Sequence, residues 1–147
     1  MDTSAADHEL TTSRRIPAPR AKVWAAFTDP NILATWWGPD GFTNTFNLCE
    51  MRLGGAWHFT MHGPDGTNYP NESRFVELQP IERWAIEHTC PPHFRLTATL
   101  REIGSDTEVH WRQTFTSAEV CAAVRAVCVP ANEQNLQRLA AAVARMK

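Results

Sequence analysis

The C-terminal end of the chain, residues 117–147, constrains the fold more than any other segment, because it has the pattern of one long helix. Apolar side chains recur there at helical spacing in two stripes, one on each side of Pro130. Proline has no N–H to donate, so we expect Pro130 to kink or split the helix. Asn132 lies one turn before Leu136 on the second stripe, where a buried amide needs a partner. The stripes consist of Val120, Val124, Val127 and Cys128, followed by Leu136, Leu139, Val143 and Met146.

Length and charge exclude several classes of protein. The chain has 147 residues, 43% of them hydrophobic, and a net charge of −2 from 14 basic and 16 acidic residues. This predicts a single domain over residues 1–147 with a substantial core. No cluster of Lys and Arg marks a nucleic-acid surface, and no segment approaches the ~20 apolar residues of a membrane span, so neither partner is expected. Residues 1–9 are polar and acidic, unlike a secretory signal, and predict a flexible terminus and a cytoplasmic protein.

The cysteines and histidines predict no cofactor and no metal site. The four cysteines form no C-x-x-C pair. Cys121 and Cys128 would lie ~10 Å apart on one helix, too far for a disulfide, so we expect reduced and partly buried thiols. His58 and His62 would stand ~13 Å apart on the solvent side of one strand, too far to share a metal. The chain also lacks the motifs of nucleophilic hydrolases, zinc proteases, phosphate loops and dinucleotide sites.

The rest of the chain reads as short strands separated by tight turns. Ala18-Pro19 opens a first short helix after the first strand, and Asp29-Pro30 opens a second. Pro70 suggests that its strand is an edge strand or begins irregularly. The order predicts an α+β fold, in which a curved antiparallel sheet of about six to seven strands wraps around the C-terminal helix. The predicted strands are residues 10–16, 42–51, 57–61, 69–78, 84–88, 94–100 and 109–115.

This order resembles the helix-grip superfamily, which includes the START lipid-transfer domains and the birch-pollen allergen. Within it the chain is most similar to the family named for the heat-shock protein 90 ATPase activator homologue. The resemblance implies a cavity between the sheet and the C-terminal helix, and many relatives carry Trp where this chain has Asn132. It rests on APRAKVWAAFTDP at 18–30, Trp36-Trp37-Gly38-Pro39, Gly54-Gly55, MHGPDG at 61–66, Tyr69-Pro70-Asn71 and Asn132-Glu133-Gln134-Asn135-Leu136 with Arg138-Leu139.

Three polar side chains fall where apolar ones are expected. His88 shares a strand phase with Trp84, and Gln113 follows Trp111 on another. With Asn132 on the helix, they are predicted to point inward from opposite walls. They are either the few polar contacts of a small-molecule site, or core groups bonded to each other, to a neighbour or to buried water. Both interpretations stay open at this point.

The six Trp residues allow two interpretations of a similar kind. Aromatic side chains bury large areas, so core packing is expected for at least some of them, but they are also able to line a cavity that stacks a planar ligand. Trp36-Trp37 precedes a Gly-Pro loop and is a candidate lid. The predicted ligand-binding residues are Trp37, Trp57, Phe59, Met61, Tyr69, Trp84, His88, Trp111, Gln113, Asn132 and Asn135.

Three hypotheses about function follow from these observations. The first is a protein that binds a small hydrophobic or aromatic ligand, with a homodimer as a further possibility. The second is a cyclase, dehydratase or hydrolase using the same cavity, which a hydrogen-bonded set of Tyr69, Glu72 and His88 would favour. The third is a chaperone-interacting, ATPase activator-like module, which an exposed apolar patch outside the cavity would favour. No catalytic residue is assigned from the sequence.

Overall fold

The computed structural model describes residues 8–146. Most of the terminal segment predicted to be flexible, residues 1–7, lies outside the described residues, and Glu9 already belongs to the first strand. The elements in chain order are β1 (Glu9–Ile16), α1 (Arg20–Thr28), α2 (Pro30–Trp36), β2 (Thr43–Cys49), β3 (Ala56–His62), β4 (Asn68–Gln79), β5 (Arg83–His88), β6 (Phe94–Ile103), β7 (Asp106–Phe115) and α3 (Ala118–Arg145).

The strands form one antiparallel sheet, and the long helix packs against it. The sheet has seven strands in the order β1-β7-β6-β5-β4-β3-β2, so each strand from β2 to β7 lies beside its neighbour in sequence. The N-terminal strand β1 closes the other edge by pairing with β7. This arrangement confirms the predicted α+β helix-grip fold, including the two short helices after the first strand.

Pro70 shows how an interior strand accommodates a proline. β4 lies between β3 and β5, so it is not an edge strand. Its pairing with β3 includes Pro70 opposite Thr60, whereas its pairing with β5 begins only at Ser73, opposite His88. Residues 68–71 therefore have no β5 partner, and the missing N–H of Pro70 removes no hydrogen bond between β4 and β5.

Local caps explain where two of the helices begin. The Asp29 side chain accepts a hydrogen bond from the Asn31 N–H at 3.0 Å, and Pro30 occupies the first turn of α2. The Ser117 side chain accepts a bond from the Val120 N–H at 3.2 Å and caps α3. α3 is one continuous helix from Ala118 to Arg145 and contains the exposed Pro130, so the proline does not split it.

The two apolar stripes of α3 behave differently. Leu136, Leu139 and Val143 are fully buried, as predicted. In the first stripe, Val127 is 72% exposed, so this stripe does not pack along its whole length into the core. Cys121 is the fully buried residue of that half of the helix. The second half of α3 therefore holds the core, whereas the first half extends over a less filled part of the sheet.

Aromatic rings fill the core beneath the second half of α3. The four fully buried tryptophans come from α2, β3, β5 and β7, and Phe27 and Phe75 lie among them. The Trp37 ring lies on top of this layer, with its centroid 5.0 Å from that of Trp57 and 5.8 Å from that of Trp84. Edge-to-face contacts of this kind are favourable for aromatic pairs. Trp37 consequently forms the boundary between the filled core and the space above it.

Candidate functional site

The space above Trp37 is a cavity between the concave face of the sheet and the first half of α3. Its volume is about 600 Å³, within the usual range for small-molecule sites. Most of its wall is apolar, and exposed Tyr69 and Val127 mark where it meets solvent. The helix contributes Val127, Cys128, Ala131, Asn132 and Asn135, and the sheet contributes Phe59, Met61, Ile86, Leu96 and Trp111 among others.

Nine of the eleven residues predicted to bind a ligand lie in the wall of this cavity. Strand parity and helical spacing indicated most of them from the sequence, because these two patterns decide which way a side chain points, whereas Trp37 was predicted as part of a lid beside the Gly-Pro loop. These nine are Trp37, Phe59, Met61, Tyr69, His88, Trp111, Gln113, Asn132 and Asn135.

Trp57 and Trp84 are not part of the wall, which corrects their predicted place. Both are 0% exposed. They point to the inner face as predicted, but the Trp37 ring from the end of α2 lies across them and separates them from the cavity. Strand parity predicts the face of the sheet, and it does not predict what covers that face.

The two inward amides meet across the cavity. Asn132 Nδ2 donates to Gln113 Oε1 at 3.1 Å, which joins the helix to β7. Gln113 is buried and Asn132 is half-buried. The Gln113 side chain also reaches the Cys128 thiol, whose pKa is raised mainly by burial and secondarily by Cys121. The pair therefore satisfies itself in part, and it still presents polar atoms to the cavity.

His88 is held by two oxygen atoms. Its Nδ1 lies 2.7 Å from the Pro92 carbonyl oxygen, and its Nε2 lies 2.7 Å from Asn71 Oδ1. The imidazole stacks on the Phe94 ring, with centroids 4.6 Å apart. Burial lowers the pKa of His88, and the Pro92 carbonyl opposes that shift. The ring is thus fixed in one orientation at the cavity wall, with the Cys90 Sγ 3.4 Å from Nε2.

The acid–base set of Tyr69, Glu72 and His88 is not assembled. Asn71 takes the place next to His88, and its Nδ2 donates to the Tyr69 carbonyl oxygen at 2.9 Å. Glu72 is exposed, because it has the opposite parity on β4 from Tyr69, Asn71 and Ser73. An acid–base mechanism through these three side chains is therefore not supported by their geometry.

Several wall residues were not predicted from the sequence. Asn71 and Ser73 share the inward parity of Tyr69, so strand alternation was the available signal for both. Cys90 follows β5 in a loop, where no period applies, and no sequence signal would have found it. The Ser73 hydroxyl and the Trp111 indole N–H are buried and have no hydrogen-bond partner within residues 8–146.

The loop between α2 and β2 forms one rim of the cavity and is tied to α3. Arg138 donates to the carbonyl oxygens of Thr35, Trp37, Gly38, Pro39 and Phe42, at distances of 2.8 to 3.3 Å. Burial lowers the pKa of Arg138, and Asp40 opposes that shift. Asn135 adds a bond from its Nδ2 to the Trp36 carbonyl oxygen at 2.9 Å. The predicted lid is therefore a fixed loop.

The outer face of the sheet has a different, charged groove of about 330 Å³. Glu77 accepts from Arg83 at 2.9 Å and lies 3.6 Å from Arg95, so the charges in this groove are partly paired. No cluster of three or more His, Cys, Asp or Glu side chains within residues 8–146 is arranged to hold a metal ion. Among these same residues, no helix is both long and apolar enough to cross a membrane.

Comparison with known proteins agrees with this architecture. A solved structure from Nitrosomonas europaea has a TM-score of 0.88 at 18% identity and covers 100% of this chain and 99% of its own. One from Arthrobacter aurescens has a TM-score of 0.87 at 20% identity, covering 99% and 91%. One from Chromobacterium violaceum has a TM-score of 0.81 at 27% identity, covering 90% and 95%.

No curated protein matches the chain. A protein-family model, described as Activator of Hsp90 ATPase homolog 1-like protein, matches residues 17–144. That range runs from the end of β1 almost to the end of α3 and includes every cavity-lining residue named above. The chain therefore belongs to the family of Activator of Hsp90 ATPase homolog 1-like proteins.

Proposed function

We propose that the protein binds a small hydrophobic or aromatic molecule in the cavity between the sheet and α3. The fold of its family commonly serves this purpose. The observation that carries the proposal is that side chains fill the space between the sheet and α3 along only part of the helix. Below Trp37 the aromatic rings are almost completely buried, whereas above it α3 presents the small side chains of Cys128 and Ala131 and leaves about 600 Å³.

The chemistry of the wall indicates the kind of ligand. Phe59, Leu96 and Trp111 offer broad apolar surface, which favours a hydrocarbon or aromatic body. The polar groups are few, and among them the Ser73 hydroxyl and the Trp111 indole N–H lack partners within residues 8–146. An unpaired buried donor costs ~1–3 kcal/mol, so an acceptor atom on the ligand would be favourable there. We infer an apolar ligand that carries one or a few oxygen acceptors.

A blocked cavity tests this function. Ala131 is half-buried in the wall, so Ala131→Phe places a ring in the space that the ligand would occupy. The matched control is Ala122→Phe, which adds the same ring to an exposed position of the same helix outside the wall. The probe is N-phenyl-1-naphthylamine, a neutral aromatic dye whose fluorescence rises in apolar surroundings.

We expect saturable dye binding to the unmodified protein and to Ala122→Phe. Ala131→Phe should weaken the affinity by at least roughly tenfold, equivalent to ~1.4 kcal/mol. Equal affinity of the two variants would show that the dye binds elsewhere and would contradict the proposal. Native mass spectrometry of the purified protein, searching for a retained small molecule, would identify the natural ligand directly.

A further inference from the structure

We propose that Cys90 and His88 form a reactive thiol–imidazole pair at the cavity wall, which adds covalently to the double bond of an apolar α,β-unsaturated carbonyl ligand. This rests on the proposed ligand-binding function of the same cavity. The Cys90 Sγ lies 3.4 Å from His88 Nε2, within reach of an S–H···N hydrogen bond. Both residues belong to the cavity wall.

The hydrogen bonds of His88 favour a second proton on its ring. The Pro92 carbonyl oxygen can only accept, so Nδ1 must donate to it. Asn71 Nδ2 already donates to the Tyr69 carbonyl, which leaves Asn71 Oδ1 facing His88 Nε2 at 2.7 Å as a second acceptor. A neutral imidazole has one N–H and satisfies only one of these two oxygens. Protonation of Nε2 would satisfy both.

The Cys90 thiol is the nearest source of that proton. No carboxylate within residues 8–146 forms an ion pair with His88, so the charge of a protonated ring has to be balanced by another group. Transfer of the thiol proton to Nε2 creates the ring cation and the thiolate side by side. Burial lowers the pKa of His88, which keeps the ring neutral and able to act as a base before the transfer.

The other three thiols lack this arrangement. Burial raises the pKa of Cys49 to about 11 and also raises that of Cys128. Cys121 is fully buried in the small cluster beneath the start of α3. Cys128 lies in the cavity wall, but its neighbour there is the Gln113 amide, which cannot take a proton. Cys49, Cys121 and Cys128 therefore serve as internal controls for the reactivity of Cys90.

Ser73 supplies the reason for choosing an unsaturated carbonyl compound. It is paired with His88 across β4 and β5, so both side chains point to the same face a short distance apart. Its hydroxyl is buried and has no partner within residues 8–146. A carbonyl oxygen that becomes an enolate during addition would take this donor. The apolar walls beyond would hold the rest of the ligand.

The proposed reaction balances without an oxidant or a leaving group. His88 Nε2 removes the proton from the Cys90 Sγ, and the thiolate forms a C–S bond to the β-carbon of the ligand. The electron pair of the C=C double bond moves toward the carbonyl oxygen to give an enolate, for which Ser73 is the nearby donor. The proton on Nε2 then goes to the α-carbon and restores the neutral imidazole. The product is a saturated thioether of the intact ligand on Cys90.

The test uses chalcone, an aromatic unsaturated ketone, and dihydrochalcone, its saturated analogue, which can bind but cannot add. The full chain is kept reduced, and binding of dihydrochalcone is measured by calorimetry. Adduct formation with chalcone is followed by intact mass and located by peptide mapping. We expect dihydrochalcone to bind, and a single chalcone adduct to form on Cys90. Cys90→Ser should abolish the adduct, and Cys49→Ser, a change outside the cavity wall, should leave it unchanged.

His88→Gln removes the proposed base and should leave ligand binding in the cavity intact. We expect it to slow the adduct by ~100-fold, the usual contribution of a general base, while dihydrochalcone still binds. Asn71→Ala, which removes the acceptor of the Nε2 proton but keeps the imidazole, should slow it by a smaller factor. If His88→Gln does not fold, Asn71→Ala provides the test. An unchanged rate of adduct formation in Asn71→Ala would then overturn the proposed pairing of Cys90 with His88.

The remaining outcomes distinguish the two proposals. If dihydrochalcone binds and chalcone reacts at Cys128, or at no cysteine, the reactive pair is wrong and the ligand-binding function stands. An unchanged rate in a folded His88→Gln would overturn the pair in the same way. If dihydrochalcone does not bind at all, the function proposed for the cavity fails for this class of ligand, and the inference that rests on it fails as well.

Discussion

At the scale of single residues, the two inward amides, Asn132 and Gln113, both border the cavity and bond to each other. The sequence predicts that Asn132 and Gln113 point inward, and leaves open whether they meet a ligand or each other. The structure shows the bond between them at 3.1 Å. If Asn132 served only a ligand, Asn132→Leu would leave the free energy of unfolding unchanged or raise it. The bond changes that expectation, because the variant leaves the buried Gln113 Oε1 without this donor.

We now expect Asn132→Leu to lower the free energy of unfolding by ~1–3 kcal/mol. The double variant Asn132→Leu with Gln113→Leu should lose much less than the sum of the two single changes, because it removes both polar groups. Chemical denaturation of the four proteins measures this coupling. If the losses in the free energy of unfolding are additive, the bond has no structural role, and the two amides would serve ligand binding alone.

Gly38 combines a backbone conformation that favours glycine with a position next to the cavity wall. Its φ is +100°, which disfavours any side chain, and an added Cβ would lie 2.7 Å from Met61 Cε in the cavity wall. Gly66 offers a matched position, since its φ is +87° and a Cβ there meets nothing within 4 Å. Comparing the two separates backbone strain from crowding.

Both Gly38→Ala and Gly66→Ala should therefore lower the free energy of unfolding by ~1–3 kcal/mol through strain. Only Gly38→Ala should also change dye affinity, because Met61 has to move within the wall. Thermal unfolding together with dye titration of each variant checks both parts. A change in affinity for Gly66→Ala of the same size would show that the effect is not local to the wall.

At the scale of elements, Arg138 makes the loop after α2 part of the scaffold. One guanidinium on α3 donates to five carbonyl oxygens of residues 35–42. This contact also explains a limit of sequence-based prediction. Helical spacing indicates that Arg138 lies beside Leu139 and off the core stripe, but the carbonyls it meets belong to a loop about a hundred residues earlier, and no local pattern connects the two.

Arg138→Lys keeps the positive charge and removes the planar guanidinium group, whose several N–H donors bind the carbonyl oxygens. A lysine has three donors on one nitrogen and cannot reach the same set of carbonyls, so we expect a loss of ~1–3 kcal/mol in the free energy of unfolding. Arg145→Lys, at an exposed position near the end of the same helix, should change it by no more than ~0.5 kcal/mol. Equal effects of the two substitutions in chemical denaturation would mean that the loop is not held by this side chain.

At the scale of the whole molecule, the order and faces of the elements were predictable because each follows from a local period. Alternation along β3, β5 and β7 predicts the inner face, and the spacing of Leu136, Leu139 and Val143 predicts the stripe that packs on it. The position of Trp37 over its neighbours, the exposure of Val127 and the approach of Cys90 to His88 depend on contacts between distant segments. These contacts decide which inner-face residues border the cavity.

The burial of Leu139 gives the fold its most direct test. The side chain is 0% exposed between the helix and the aromatic layer, so Leu139→Ala should lower the free energy of unfolding by ~2–5 kcal/mol. Val127→Ala, on the same helix but 72% exposed, is the control and should change it by no more than ~0.5 kcal/mol. A loss below ~1 kcal/mol for Leu139→Ala in chemical denaturation would mean that the sheet does not grip the helix.

The uneven packing along α3 has a consequence for how such a protein diversifies. The turns around Val127 and Ala131 border the cavity, and the turns from Leu136 to Val143 border the core. Substitutions that reshape a binding site and substitutions that threaten folding therefore fall on different turns of one helix. A lineage built on this plan is free to exchange one ligand for another by changing a few positions near Pro130, while the aromatic layer that secures the fold is inherited unchanged.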